Sequence, residues 1–477
     1  MSADAGWSES WYYLLVGLGA AAGTYRVLSH GAEQAAREVE VEQLEALKHS
    51  KRSPWYGVPG DGGGSGATRS RLGGSHIEAL AQLALKASYQ QRSMASEVLL
   101  DQAMRGRILA LVLEMASDPT DPALQLRVVT LLQMLAQSTG RRQRLAQAGV
   151  LGVLVECLRA PDKALVVRAA TTLVEFIGHP DRETAARYRR QAARCGLLAA
   201  VVDILRAGGE ARKAPHSDVV VLTVCAGIAK IYSLRTSFHQ ELIDLEYLPA
   251  LLGVARRAGM DLELMRVVVE SIVRLCTYLS TRRPADGESA CPQMVQLLDM
   301  GAVGVVTTCV RQDDQGVSSW GIGLLHEFVS RGVGRLELGN SPGIVRSLCR
   351  KLSTAKYAYT NQLILRSLWS LCTSSAAALG DATQPASLRR ILAIFSVSDD
   401  TEAHHWGIAL VSKLSARPAT HRWILDSPLP HALDDLMARL PQSLRTSLLP
   451  EIAAIISRLC HSISLAPMMS AHPEIAR

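Results

Sequence analysis

The chain has 477 residues, of which 48% are hydrophobic, 20% charged and 5% aromatic, with only four Phe. β-Sandwiches and barrels depend on aromatic side chains, so this composition argues against an all-β protein, and the hydrophobic content excludes a disordered chain. The net charge of +7 permits an acidic partner or an anionic membrane surface without requiring nucleic acid. Nine cysteines without a Cys-x-x-Cys pair are typical of a reduced, cytosol-facing protein rather than of a disulfide or zinc framework.

The first predicted element is a single membrane-anchoring helix within residues 1–30. No charge lies between Glu9 and Arg26, and the run WYYLLVGLGAAAGTY with its flanks is long enough for a thin bilayer. Aromatic residues at one end suit the headgroup level, and a Gly-x-x-x-Gly pair permits close helix contact and hence a homo-oligomer. These residues are Trp11, Tyr12, Tyr13, Gly19 and Gly23. A buried helix of a soluble protein is the alternative, whereas a secretory signal or matrix presequence would carry basic residues before the run.

Positive charges appear only after this run, from Arg26 to Arg52. The positive-inside rule therefore places the C-terminal part of the chain in the cytosol. A short, moderately apolar anchor followed by basic residues resembles the signal anchors of mitochondrial outer-membrane proteins. We expect that membrane first and the endoplasmic reticulum second, because anchors of the reticulum are usually longer and more apolar.

A polar helix and a linker are predicted for residues 31–75. Residues 31–47 alternate acidic residues with Ala, Val and Leu, which predicts a polar helix leaving the membrane. The next stretch reads HSKRSPWYGVPGDGGGSGATRSRLGGS. Its density of Gly, Pro and Ser prevents a packed core, so it predicts a flexible tether.

Residues 76–461 contain an internal repeat, and residues 462–477 follow as a C-terminal tail. Each unit has an opening apolar helix, a polar loop with Gly, Asp or Pro, and a longer closing apolar helix. Successive openings, spaced from the low forties to the mid-fifties of residues, lie at Gly149, Gly196, Tyr247, Gly301, Gly343 and Leu388. This period is that of helical solenoids. The pattern resembles the armadillo family, which implies an all-α, right-handed α-solenoid of about eight armadillo-like repeats.

The resemblance also implies a concave groove, lined by the closing helices, that binds extended peptides. The family's closing helix carries Trp-Ala-Leu-x-Asn, and alignment on apolar core residues places Trp320, Trp369 and Trp406 at the Trp position. No Asn occupies the position four residues later in any closing helix. The resemblance thus implies a protein or peptide partner anchored on tryptophan, without the backbone clamp of nuclear-import receptors. Packing between adjacent repeats is the alternative role for these side chains.

A charged surface is predicted upstream of the tryptophans. Arg266, Glu270 and Arg274 recur at every fourth residue of one closing helix, and Lys230 and Glu175 occupy matching positions in earlier repeats. One interpretation is a solvated face with helical ion pairs. The other is a mixed-charge half of the groove, suited to a partner with alternating charge.

No catalytic or metal-binding motif stands out. GxSxG, GxxxxGK[ST] and HExxH are absent. His404 and His405, without a third ligand, are expected to be an exposed or groove-facing pair, and the Asp313–Asp314 and Asp399–Asp400 loops to cap the following helices. The arginine clusters lack any accompanying nucleic-acid-binding module.

The sequence therefore predicts a scaffold rather than an enzyme, with no cofactor, no metal and no nucleic-acid partner. We expect it to be anchored in a membrane and to bind a protein segment on the cytosolic face of an organelle. A soluble cytosolic armadillo-type adaptor or chaperone cofactor is the alternative.

Overall fold

The computed structural model describes residues 104, 106–210, 218–257, 261–281, 291–352, 358–397, 400–439 and 442–460. The predicted anchor, polar helix, tether and C-terminal tail lie outside these residues. All regular structure in the described part of the chain is helical. Within it, no single helix combines the length and the apolar character needed to cross a membrane.

The repeating unit has three helices, which we name H1, H2 and H3 in chain order. H2 and H3 are the opening and closing helices predicted from the sequence, and the H1 helices are additional. The H1 helices are α3 (Thr139–Gln147), α6 (Arg182–Arg194), α9 (His239–Asp244), α12 (Pro292–Asp299), α15 (Arg335–Gly339), α18 (Ala376–Ala382) and α22 (His421–Leu425). Most are short or polar, so they lack the apolar periodicity by which the other two helices are recognised.

The H2 helices are α1 (Gly106–Ser117), α4 (Val150–Cys157), α7 (Leu197–Glu210), α10 (Tyr247–Arg257), α13 (Ala302–Arg311), α16 (Ile344–Leu352), α19 (Pro385–Leu392) with its continuation α20 (Ile394–Val397), and α23 (Leu429–Arg439). The H3 helices are α2 (Pro122–Ala136), α5 (Lys163–Ile177), α8 (Val219–Ser233), α11 (Leu262–Thr281), α14 (Gln315–Ser330), α17 (Ala358–Ser374), α21 (Thr401–Leu414) and α24 (Gln442–Cys460). The described residues thus contain seven complete repeats, preceded by one repeat for which only H2 and H3 are described.

An aspartate caps most H3 helices. Asp314 and Asp400 accept hydrogen bonds from the backbone N–H groups of Val317 (2.7 Å) and Glu402 (3.1 Å), which confirms the predicted caps. The other capping residues are Asp121, Asp162, Asp218 and Asp261. Because the carboxylate satisfies a free N–H and faces the positive end of the helix, it sets where each of these six H3 helices begins.

Five of the seven described turns from H1 to H2 use a left-handed residue. In four of these repeats the residue is a glycine, at φ between 74° and 92°, namely Gly149, Gly196, Gly301 or Gly343. In the remaining one of these five repeats the left-handed residue is Glu246, at φ 57°, directly before Tyr247. The sequence alignment places Tyr247 at the glycine position, so the structure corrects that alignment by one residue.

The chain divides into two units, residues 1–254 and 255–477, with the division inside α10. In the first unit α5 packs between α2 and α8. The rings of Phe176 and Tyr188 meet edge to face, with centroids 5.4 Å apart, in its core. In the second unit α11, α14, α17, α21 and α24 pack in succession, each against the next. Fully buried leucines and phenylalanines such as Leu325 and Phe328 fill its core, each worth about 1.5–3 kcal/mol of burial free energy.

Arginines join neighbouring repeats within each unit. Each lies towards the end of an H2 helix and donates to the carbonyl oxygen just before the left-handed residue of the next repeat. The bonds are Arg206 Nη2 to Leu245 O (3.4 Å) in the first unit, and Arg256 Nη1 to Met300 O (3.1 Å) and Arg311 Nη2 to Pro342 O in the second. We call these bonds the arginine joints.

Candidate partner-binding surface

The three tryptophans singled out from the sequence lie on three successive H3 helices of the second unit. Trp320 is on α14, Trp369 on α17 and Trp406 on α21, and each of these helices packs against the next. All three side chains are half-buried. We call these residues, with the side chains that contact them, the tryptophan surface.

Two of the three tryptophans occupy the same position in their repeats. Trp320 and Trp406 are each the sixth residue of their helix, six residues after the capping aspartate. Each is followed by a glycine that faces H2 of its own repeat. A Cβ on Gly321 would lie 2.5 Å from the Cβ of Cys309, and one on Gly407 would lie 2.9 Å from the ring of Phe395.

Trp369 occupies a different position, since it is the twelfth residue of α17. The expected recurrence at one position in three repeats therefore holds for two of them. Apolar residues recur every three or four positions along a helix, so apolar spacing alone does not set the register of an alignment. The capping aspartates Asp314 and Asp400 set the register of α14 and α21, and they are the sequence signal that the alignment missed.

Cation and aromatic side chains stack from one H3 helix to the next on this surface. The Arg274 guanidinium of α11 lies 5.4 Å from the ring centroid of Trp320, and that of Arg366 lies 5.1 Å from Trp406. The rings of Trp369 and Trp406 are 5.6 Å apart at 58°. The tryptophans thus pack between adjacent repeats, as the alternative interpretation predicts, and still keep part of each side chain in solvent.

The indole N–H groups differ in their partners. Trp406 Nε1 donates to Glu402 Oε1 at 3.1 Å, one turn earlier on α21. Neither Trp320 nor Trp369 donates its indole N–H to any residue that the structure describes, and neither group is buried. Two donors are therefore available to a ligand, and the third is already engaged.

The charged face of α11 differs from both sequence interpretations. Arg274 donates to Glu270 Oε1 through Nε (3.2 Å) and Nη2 (2.8 Å), and the two side chains are only 13% and 5% exposed. Arg266 pairs with Glu263 at 2.7 Å. The ion pairs exist, but the Glu270–Arg274 pair is buried because Trp320 lies against Arg274. This corrects the expectation of a solvated or freely offered mixed-charge face.

Lys230 belongs to the first unit, on α8, and its exposure is only 6%. It therefore does not present a free charge to solvent. Glu175, at the matching position of α5, lies 3.7 Å from Arg142 of α3, the H1 helix of the same repeat. Burial of Lys230 and Glu270 does not favour direct contact of either residue with a partner.

Near neutral pH, the titratable side chains around Arg366 are either uncharged or hydrogen-bonded to a neighbouring helix. Burial, and secondly the charge of Arg366, lowers the pKa of His326 to about 4. Burial raises the pKa of Tyr359 above its usual range. Glu327 accepts hydrogen bonds from Thr277 Oγ1 (2.8 Å) and Ser280 Oγ (2.7 Å) of α11. Arg366 itself is exposed, and no described carboxylate forms an ion pair with it.

His404 and His405 do not form the exposed or groove-facing pair expected from the sequence. His404 is buried and stacks on Phe395 at 5.6 Å, whereas His405 meets the edge of Trp406 at 5.2 Å. Adjacent residues of a helix point about 100° apart, which separates the two rings. No group of three or more His, Cys, Asp or Glu in the described part of the chain is placed to hold a metal ion.

No protein-family model matches the chain, and no curated protein matches its sequence. Solved structures do match its fold. A structure from work on a phosphorylation switch in the interaction between cadherin and beta-catenin matches with a TM-score of 0.54 and 13% identity, over 80% of this chain and 68% of that chain. An engineered protein matches over 81% and 95% (TM-score 0.49, 15% identity), and a designed armadillo repeat protein over 55% and 99% (0.39, 16%).

The three-helix repeat and the similarity at a TM-score of 0.54 agree on the architecture. The fold is an armadillo-type α-solenoid, as predicted from the period and pairing of the apolar helices.

Proposed function

Since the chain folds as an armadillo-type α-solenoid, we propose that it is a non-catalytic scaffold that binds a segment of a protein partner. The observation that carries this proposal is the tryptophan surface on α14, α17 and α21. Half-buried tryptophans at the centre of a contact are the side chains that most often dominate binding free energy. One solved structure similar to this chain comes from work on an interaction between cadherin and beta-catenin, which also favours a protein partner.

The test is partner capture from cell extracts with the full chain and with Trp320, Trp369 and Trp406 all replaced by Ala. Loss of several kcal/mol of affinity, and hence loss of the captured protein, is the expected result. Trp423→Ala is the matched control, because Trp423 is also half-buried and stacked by an arginine (Arg389, 4.5 Å) but lies on an H1 helix. Unchanged capture by a folded triple variant would remove the surface from the proposal.

The triple variant could lose packing between repeats, so its circular dichroism and thermal unfolding are compared with those of the unmodified chain. If it unfolds, Trp369→Ala alone takes its place, because it leaves both arginine stacks intact. That variant is expected to retain the fold and to bind the partner more weakly.

We also propose that residues 1–30 anchor the scaffold in a membrane, with the mitochondrial outer membrane favoured and the solenoid in the cytosol. The support is the uncharged run beginning at Trp11, its aromatic end and the basic residues that follow it. The test uses carbonate extraction and external protease on fractionated cells, with a C-terminal tag and a control lacking residues 1–30. Retention in mitochondrial membranes with digestion of the tag is expected. Extraction by carbonate would instead favour the soluble adaptor.

The anchor proposal includes self-association through Gly19 and Gly23. Replacing both glycines with Leu should abolish crosslinking of the full chain in membranes, because bulky side chains keep the helices apart. Equal crosslinking of both forms would show that these glycines do not hold an oligomer together.

A further inference from the structure

The H1 helix α6 carries an exposed row of arginines that the proposed function does not use. Arg187, Arg190 and Arg194 are all exposed, and they recur at i, i+3 and i+7 of the helix. This spacing puts the three side chains on one face, opposite the face that buries Ala185 and Ala192 in the core of the first unit.

The H1 helix of the preceding repeat extends this row. Gln191 Nε2 of α6 donates to Ala146 O of α3 at 2.8 Å, so the two helices are in contact there. Arg187 and Arg194 lie one turn before and one turn after Gln191, next to the C-terminal end of α3, whose last turn carries the exposed Arg144. We call this surface the basic H1 face and define it by Arg144, Arg187, Arg190 and Arg194.

The positive charge of the basic H1 face is not compensated. None of its four guanidinium groups forms an ion pair within the part of the chain that the structure describes. Arg190 Nε donates to Ala186 O at 3.3 Å, and the Arg187 guanidinium lies 5.6 Å from the ring centroid of Tyr188, but neither contact neutralises a charge. The acidic residue of α6, Glu183, lies in the first turn, at the positive end of the helix.

We propose that residues 31–47 of the same chain dock on the basic H1 face. The sequence predicts a polar helix for this segment, which lies outside the described residues and contains five glutamates and one arginine. Glu38, Glu42 and Glu45 are spaced by four and then three residues, so they share one face of the predicted helix. The inference is independent of the tryptophan surface, which belongs to the second unit.

The two sets of charges match in one orientation. The arginines of α6 are spaced by three and then four residues, whereas the glutamates are spaced by four and then three. An antiparallel pair of helices therefore brings all three glutamates opposite arginines, and in a parallel pair the spacings disagree. Complementary charges of this kind fix the orientation and register of a contact. The pairs are Glu45 with Arg187, Glu42 with Arg190 and Glu38 with Arg194.

The connection through residues 48–103 permits this contact. These residues lead to Met104, which belongs to the same unit as α3 and α6. A stretch of this length reaches up to about 180 Å when extended, several times the roughly 20 Å of a helix as long as α6. Because the segment and the face belong to one molecule, ion pairs that are individually weak at a surface act at a high effective concentration.

The experiment places a photocrosslinking benzophenone side chain at Gln147 of the full chain, reconstituted in phosphatidylcholine vesicles. Gln147 is exposed at the end of α3, and its replacement leaves the four arginines intact. Trypsin cleaves after Arg37 and Lys48 and releases residues 38–48 as one peptide, which mass spectrometry identifies. We expect a crosslink from α3 to this peptide within a single chain, with a yield that falls as the salt concentration rises.

Exchange of charges tests the pairing. Arg190→Glu and Glu42→Arg should each lower the crosslink yield by about 3- to 10-fold, because like charges then face each other. The double variant should restore the yield. Arg182→Glu is the matched control, since Arg182 is exposed on the same helix but lies two turns before Arg190 and off the row of arginines. Its yield should change by less than about twofold.

Four outcomes would overturn the inference. The first is the absence of the crosslink to residues 38–48, and the second is a double variant that does not restore the yield. The third is a crosslink that joins two chains, because it would place the segment on a neighbouring copy. The fourth is replacement of the peptide by lipid adducts when the vesicles contain phosphatidylserine, because the face would then bind an anionic membrane surface.

Discussion

Glu246 holds a backbone conformation that four other repeats assign to glycine. A left-handed conformation costs a residue with a Cβ roughly 1–2 kcal/mol, whereas glycine loses about 0.5–1 kcal/mol more chain entropy on folding. The ion pair that Glu246 makes with Arg206 is solvent-exposed and contributes little. Glu246→Gly should therefore raise the free energy of unfolding by up to about 1 kcal/mol, measured by urea denaturation. Gly301→Ala should lower it, and the same sign in both variants would contradict the argument.

His326 should make stability depend on pH in the acidic range. Its pKa is lowered to about 4 in the folded chain, while an unfolded histidine binds a proton near pH 6.5. As the pH falls from about 6.5 to 4, the unfolded state binds the proton and the folded state does not. Stability is therefore lost in this range, by roughly 1–2 kcal/mol at pH 5.

The measurement is the free energy of unfolding at pH 7 and pH 5 for the unmodified chain and for His326→Gln. Other titrating groups are common to both and cancel in the difference. The variant should lose less stability than the unmodified chain. An equal loss of unfolding free energy in the two chains would mean that the folded chain binds a proton at His326 as readily as the unfolded chain does.

At the scale of single elements, the apolar pattern predicts some helices well and others not at all. The H2 and H3 helices are confirmed because their apolar faces recur along the chain, and the caps at Asp314 and Asp400 because a carboxylate suits a helix N-terminus. The H1 helices are missed because segments such as Arg335–Gly339 are too short for periodicity. The position of Trp369 and the burial of Glu270 depend on how adjacent repeats pack, which a single-repeat pattern does not contain.

Two helix glycines give a matched test of the packing between H2 and H3. Gly321→Ala would place a methyl group 2.5 Å from the Cβ of Cys309, so it should cost about 1–3 kcal/mol of stability through overpacking. Gly304→Ala has no neighbour within 4 Å and should stabilise α13 by about 0.8–1 kcal/mol. Thermal unfolding of both variants is the measurement. A neutral Gly321→Ala would mean that α13 and α14 are farther apart than described.

At the scale of the whole molecule, the cysteines report on the integrity of the repeats. Six thiols are buried, two are half-buried and Cys460 is exposed. Burial raises the pKa of the Cys157 thiol to about 11. It raises the pKa of four other buried thiols to about 12, namely those of Cys225, Cys309, Cys349 and Cys372.

A thiol reagent at pH 8 should therefore modify Cys460 first, and the six buried thiols only on unfolding, because the thiolate is the reactive form. Cys460→Ser should remove the fast phase. Rapid modification of more than three thiols in the native chain would contradict the packing described for the two units.

The arginine joints have a consequence for how such a chain diverges. A carbonyl oxygen is present whatever side chain its residue carries, so an arginine that donates to it imposes no requirement on that residue's identity. The residues contacted are in fact dissimilar: Leu245, Met300 and Pro342. Repeats connected in this way can be duplicated, exchanged or mutated almost independently, provided that each keeps its arginine and its left-handed turn. An architecture joined through backbone atoms can therefore outlast nearly all recognisable sequence likeness to its structural counterparts.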